Sequence, residues 1–130
     1  MKVKNKVKNW NSTLVNIKTD FDELISVLHN SGAQIVLVVD KKMKLLGTIT
    51  DGDIRKGLLL KYKKNDFAKK VMNRKPICLI NNFAKKEISK LMIKKNVLQV
   101  PILDSKMKVI GLELLKDIES DTYNLNPVLI

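Results

Sequence analysis

Shifted against itself by 64 residues, the chain matches without a gap, placing VDKKMKLLGTITDGDI (Val39 to Ile54) over LDSKMKVIGLELLKDI (Leu103 to Ile118). Asp40, Lys42, Met43, Lys44, Gly47, Asp53 and Ile54 recur as Asp104, Lys106, Met107, Lys108, Gly111, Asp117 and Ile118. The leaders agree too, Lys6-Val7-x-Asn9 lying over Lys70-Val71-x-Asn73. A repeat of this length means that one small unit is built twice and that the copies bury their apolar faces on each other. Two copies are too few for an open solenoid, so a closed pair packed face to face is expected. The expected units are residues 6–60 and 70–120, joined by a basic linker over 61–69, with residues 121–130 leading out.

Each copy has the same coarse pattern. In the first, Leu14 to Ile17 is a short apolar strand, and a helix starts at Thr19 or Asp20 with Glu23 placed as its capping-box partner. Phe21, Leu24, Ile25 and Leu28 fall at helical spacing, and Gly32 is the expected stop. Ile35 to Val39 is an unbroken apolar run that predicts a buried strand. A polar turn leads into a second strand, Leu45 to Thr50, and Asp51-Gly52 opens a last helix carrying Ile54, Leu58 and Leu59. The second copy predicts a strand at Ile77 to Ile80 and a helix from about Phe83 to Lys95. Strands at Val97 to Leu103 and Val109 to Leu114 follow, then a short helix from Leu115. The class is α+β, two β-α-β-β-α repeats related by a pseudo-twofold axis.

Composition narrows the function. The 130 residues carry a formal net charge of +12, yet of 25 basic residues all but Arg55 and Arg74 are lysine, and the six aromatics are scattered. Sequence-specific DNA readers use arginine forks, and single-strand binders interleave aromatics with positive charge. The densest basic stretch, Lys61 to Lys75, falls in the linker region and reads as solvated charge, so nucleic acid is not the expected partner. No apolar run reaches the roughly 18 to 20 residues of a membrane span, and the start MKVKNKVKNW lacks a signal-peptide stretch, so the expected compartment is cytoplasmic. The single cysteine, Cys78, allows no internal disulfide and no cysteine-based zinc site and is expected to be a small buried apolar residue.

The segment most able to carry chemistry is Gly47-Thr48-Ile49-Thr50-Asp51-Gly52-Asp53-Ile54. It delivers the Thr50 hydroxyl to a helix start, with Asp53 one turn on. Free N–H groups and the positive helix end favour an anion there, and a carboxylate can accept two sugar hydroxyls. The same spacing is also a capping box that merely closes the helix, and both readings stand. Asp51-x-Asp53 makes a poor metal pair, having no third carboxylate or histidine nearby. His29, the one histidine, has no nucleophile or orienting acid in sequence reach and reads as a helix-end residue. Pro101 cannot donate to a sheet ladder, so its strand is expected to bend or lie at an edge there, baring backbone groups that could read a base edge. No catalytic apparatus is visible.

Together the repeat, the β-α-β-β-α unit and the Gly-x-x-Thr-x-x-Asp turn closely resemble the CBS domain, named after cystathionine β-synthase, in its usual tandem pair. The resemblance covers roughly Lys6 to Glu119. It implies a regulatory module that binds an adenine nucleotide, such as AMP, ADP, ATP or sometimes S-adenosylmethionine, requires no cofactor and pairs into a homodimer through its final helices. It also implies that Thr50 and Asp53 hold phosphate and ribose while Ile77, Val97 and Gln99 of the other copy hold the base, with Arg55 either reaching a phosphate or facing solvent. The other cleft, opposite Ala33 and Ile35, keeps Asp117 but has Leu114 where the hydroxyl should be, so one competent site is expected.

The wording GTITDGDIRKGLL looks like CBS pairs attached to bacterial sugar-phosphate enzymes, either sugar-1-phosphate nucleotidyltransferases or arabinose-5-phosphate isomerases. Asn126-Pro127-Val128-Leu129-Ile130 reads as an apolar strand of the kind that enters a nucleotidyltransferase domain. The expectation is an N-terminal regulatory fragment cut before that catalytic domain. A ligand-free dimerisation or scaffold module is the alternative.

Overall fold

Each half of the chain builds a three-stranded sheet in the computed structural model, which describes residues 6–80 and 83–118. A 3-10 segment, Lys6–Thr13, leads into β1 (Leu14–Val15), α1 (Phe21–Asn30), β2 (Ile35–Val39), β3 (Leu45–Thr50) and α2 (Asp51–Leu59). After a short helix, α3 (Ala68–Val71), come β4 (Leu79–Ile80), α4 (Lys85–Lys95), β5 (Gln99–Leu103) and β6 (Val109–Leu114), and a helix opens at Leu115. In both sheets the order is sequential, the first pair parallel and the second antiparallel. The tail strand expected at Asn126 to Ile130 lies outside the described residues.

The repeat is legible down to single backbone bonds. Asp40 Oδ1 accepts from the N–H of Lys42 and Lys44, and Asp104 Oδ1 accepts from those of Lys106 and Lys108, all at 2.8 to 3.0 Å. Met43 (φ 70°) and Met107 (φ 68°) take the same left-handed step in the two turns. The turns then bond each other: Leu45 N–H donates to Met107 O at 3.1 Å, and Val109 N–H donates to Met43 O at 3.0 Å. These bonds exchange when the repeats are exchanged, so a local twofold axis passes by the Lys44/Lys108 bridge. The helix ends correspond as well, with Gly32 (φ 76°) and Asn96 (φ 56°) both left-handed just past α1 and α4. Glycine and asparagine tolerate that conformation best.

Strand β2 is buried on both faces, which its unbroken apolar run demands. Ile35, Leu37 and Val39 meet Leu103, Val109, Leu112 and Leu114, forming the layer between the two sheets. Val36 and Val38 point the other way, into a cluster with Phe21 and Leu24 of α1, Ile49, Ile54, and Ala68, Val71 and Met72 from the second leader. A smaller cluster of Ile88, Met92, Val100 and Ile118 serves the second repeat. At about 25 cal/mol per Å² of apolar surface, burying each such side chain contributes roughly 1.5–3 kcal/mol. Cys78 is only half-buried, packed at the margin of the layer between the sheets.

The helix starts depart from full symmetry. Asp20 caps α1 by accepting from Glu23 N–H at 2.8 Å, but its counterpart is Ala84, which has no acceptor, and there Glu87 accepts from Ala84 N–H at 3.2 Å. Each repeat thus keeps one half of a capping box, and α4 starts at Lys85 rather than near Phe83.

Pro101 also differs from expectation. It sits in β5, which is central in its sheet, and pairs with Leu112 of β6; β4 is so short that it pairs only with Ile102 and Leu103. Locally, therefore, one flank of Pro101 has no neighbour to bond, and the missing N–H costs no ladder bond there. The register shift lies between Ile102 and Leu103 and recurs between Val38 and Val39, where Leu37 stands in place of the proline. The bulge belongs to the fold, not to Pro101.

Candidate functional site

The last residue of β3 is the N-cap of α2. Thr50, extended at φ −117° and ψ 178°, hands the chain to a helix whose first turn carries Asp51 and Asp53. Asp53 Oδ2 accepts from Thr50 N–H at 2.9 Å and from Thr50 Oγ1 at 3.2 Å. The capping role is therefore real, and it also fixes the carboxylate: its orientation is set before any ligand arrives, and Oδ1 stays open. Both groups are half-buried at the mouth of a cleft of about 920 Å³.

Thr50, Asp53, Arg55, Ile77, Val97 and Gln99 all line that cleft. One wall is apolar, from Ile25 and Leu28 of α1 with Ile77, Val97 and Leu98 of the second repeat, and the polar end is the start of α2. Gln99 Nε2 donates to Gln34 O at 3.3 Å across the seam between the repeats. Arg55 is exposed and turned to Asp51, four residues back on the same helix, forming an exposed ion pair with it. Such a pair contributes little, about 0.3–0.5 kcal/mol, so Arg55 can leave it at small cost. His29 lies on the rim of this cleft, a placement its isolation in sequence did not suggest.

Asn73 and Thr48 also reach the cleft, Asn73 from outside the Gly47 to Ile54 segment and Thr48 from within it, and neither is among the expected site residues. They meet because the second leader crosses β3 backbone to backbone. Thr48 N–H donates to Asn73 O at 3.0 Å and Asn73 N–H to Thr48 O at 2.8 Å. The crossing leaves no room at Gly47, where an added Cβ would stand 2.7 Å from both Asn73 O and Met72 Sδ.

The second cleft is a different object. Only about 120 Å³ lies between the repeats near Ala33, Leu98, Gln99, Leu114 and Leu115. Of Ala33, Ile35 and Asp117, only Ala33 lines it. Ile35 pairs with Thr50, lines the large cleft and is packed into the layer between the sheets. Asp117 lines neither cleft, and both of its carboxylate oxygens are buried with no hydrogen-bond partner among the described residues. Leu114, at Thr50's position, offers no hydroxyl and is itself buried in the layer between the sheets.

No group of three or more metal-ligating side chains occurs among the described residues, and none of their helices is long and apolar enough to cross a membrane. The 920 Å³ cleft falls in the range of small-molecule and cofactor sites, about 300–1,000 Å³, whereas the 120 Å³ one falls below it.

Comparison with known proteins agrees with this architecture. Residues 7–60 match the CBS domain family. A curated relative, the uncharacterized protein RP505 of Rickettsia prowazekii, is 30% identical over 120 residues, covering 92% of this chain and 37% of its own length. The CBS domain pair of protein MJ0100, solved in complex with 5-methylthioadenosine and S-adenosyl-L-methionine, superposes with a TM-score of 0.74 at 26% identity, over 84% of this chain and 89% of that one. CBSX2 in complex with AMP gives a TM-score of 0.73 at 17% identity, over 86% and 87%, a likeness of fold. The chain spans half or less of the length of the curated relatives it matches.

Proposed function

This chain belongs to the CBS-domain family and folds as a CBS pair, and from that premise we propose that it is a regulatory module binding one adenine nucleotide in the cleft closed by Thr50 and Asp53. The observation that carries the reading is the pairing, in one cleft of about 920 Å³, of an apolar wall from the second repeat with an oriented carboxylate and a helix start from the first. A flat base suits the wall, a ribose diol suits Asp53, and phosphate suits the N–H groups at the start of α2. Structural neighbours solved with AMP and with S-adenosyl-L-methionine support the ligand class.

Binding between the repeats would change how the two sheets pack, and so what the module presents to an attached domain. The finer proposal is that this domain is a sugar-1-phosphate nucleotidyltransferase for cell-surface glycans; it is supported by the wording of the Gly47 to Leu59 segment and by relatives longer than this chain. Exposed Leu58, Leu59 and Leu60 at the end of α2 support a homodimer.

A thermal-shift panel of AMP, ADP, ATP and S-adenosylmethionine tests the reading. A ligand at a hundredfold excess over its Kd adds about 2.7 kcal/mol to the native state, a rise of several degrees in Tm. No response to any of the four would sink nucleotide binding and favour the scaffold role.

A further inference from the structure

The two repeats present equivalent helices of opposite charge. Helix α1 turns Asp22, Glu23, Ser26 and Asn30 to solvent, with Phe21 and Leu24 buried beneath it. The 64-residue shift carries those four positions onto Lys86, Glu87, Lys90 and Lys94 of α4, also exposed, above buried Ile88 and Met92. The same outward stripe therefore carries two acids in one copy and three lysines against one acid in the other.

A lysine-rich background does not account for this contrast. The chain has 25 basic residues, yet no lysine or arginine occurs between Lys18 and Lys41. Helix stability does not account for it either. Asp22 and Glu23 suit the first turn of α1, but Lys86 stands in the first turn of α4, where the positive helix end disfavours a cation. Asp22, Glu23, Lys86, Lys90 and Lys94 form no ion pair among the described residues. Each stripe also adjoins apolar surface in the open. Ile93, 62% exposed, stands among the α4 lysines. The start of α1 abuts the end of α2, where an added Cβ on Gly57 would be 2.9 Å from the Phe21 ring and exposed Leu58 and Leu59 follow.

We infer that the α4 stripe docks on α1 of a second copy, so that the homodimer joins first repeat to second repeat at both of its symmetric contacts. The inference rests on the homodimer reading for its occupant and adds the orientation. In a twofold pair of this kind the acidic stripe of each copy meets the lysine stripe of the other. Ser26 and Asn30 are short and leave room for lysine stems to lie along α1. The opposite orientation sets α4 against α4 and brings like charges together.

Sedimentation equilibrium of the full chain at low and at high salt tests this. It compares the wild type with Asp22→Lys/Glu23→Lys, with Lys90→Glu/Lys94→Glu and with all four substitutions together; the positions are exposed, and melting curves check that each variant folds. The wild type should dimerise, and more weakly at high salt. Each double variant should raise the dimer Kd by about tenfold or more, because like charges then face each other. The fourfold variant should return close to the wild type.

A dimer that neither double variant weakens, or that tightens with salt, overturns the inference and leaves the homodimer reading standing. Loss in both double variants with no recovery in the fourfold one also overturns it. A wild type that stays monomeric overturns both readings; binding of that monomer to phosphatidylserine vesicles through Lys90 and Lys94 would assign the α4 stripe to an anionic surface instead.

Discussion

Thr48 and Asn73 exchange both of their backbone hydrogen bonds, so the leader of the second repeat acts as an extra edge on the sheet of the first. This crossing places Asn73, Pro76 and Ile77 on the cleft opposite Thr50. It also accounts for Gly47, which admits no Cβ, whereas its repeat partner Gly111 has nothing closer than 3.7 Å to an added one. Gly47→Ala is expected to destabilise by about 1–3 kcal/mol, the usual cost of overpacking, and Gly111→Ala to leave chemical-denaturation midpoints near the wild type. Equal effects at the two glycines would contradict the crossing.

Asp53 and Asp117 occupy equivalent positions with unequal surroundings. Asp53→Asn keeps an oxygen able to accept from Thr50 N–H, so Tm without ligand should stay close to the wild type while the rise with adenine nucleotide disappears. Asp117→Asn replaces a buried carboxyl group that has no hydrogen-bond partner among the described residues. Its ligand response should be intact and its Tm unchanged or higher, because burying a polar group with no partner among the described residues is costly. Loss of response in Asp117→Asn alone would reverse the assignment of the competent cleft.

The turns predict an acid limb. The Lys44 N–H holds the Asp40 carboxyl below its ordinary value of 3.8, and the Lys108 N–H does the same for Asp104. The Lys70 ammonium, then the Lys63 N–H, lower Asp66. A carboxyl whose folded pKa is depressed stabilises above its unfolded pKa and loses that contribution as pH falls through the folded value. Stability should therefore be flat from neutral pH down to about 4 for these groups and fall below it. Asp40→Asn/Asp104→Asn should make the decline shallower, measured as urea midpoint against pH.

Burial pushes the Cys78 thiol above its ordinary pKa of 9.0. At neutral pH its thiolate fraction is then below that of a free cysteine, so iodoacetamide should label the native chain slowly and the urea-unfolded chain at the ordinary rate. Labelling equally fast in both states would place Cys78 in the open.

Much of this molecule is local and so can be read from the chain. Strands β2, β3 and β6 lie where their apolar runs and polar turns put them, because a run such as Ile35 to Val39 has no other way to leave water. The Thr50/Asp53 turn is equally local, its two bonds spanning three residues. Boundaries that depend on neighbours were less legible. Strand β5 begins at Gln99, not Val97, since it extends only as far as β6 is there to pair. The leader resemblance, Lys6-Val7 with Lys70-Val71, hides a difference in form, a 3-10 segment in one copy and the short helix α3 in the other.

By itself the sequence determined the repeat, the unit each copy builds, and the loss of a hydroxyl at Leu114. Those are matters of residue identity and short-range spacing. Only the tertiary structure decided that Asn73 and His29 border the cleft, that Ile35 belongs to the large cleft and not the small one, and that Lys56, Arg74 and Lys75 surround one space. These depend on how two repeats meet about an axis beside Lys44 and Lys108. That meeting is set by the fit of buried faces far apart in the chain, a quantity that no local pattern contains.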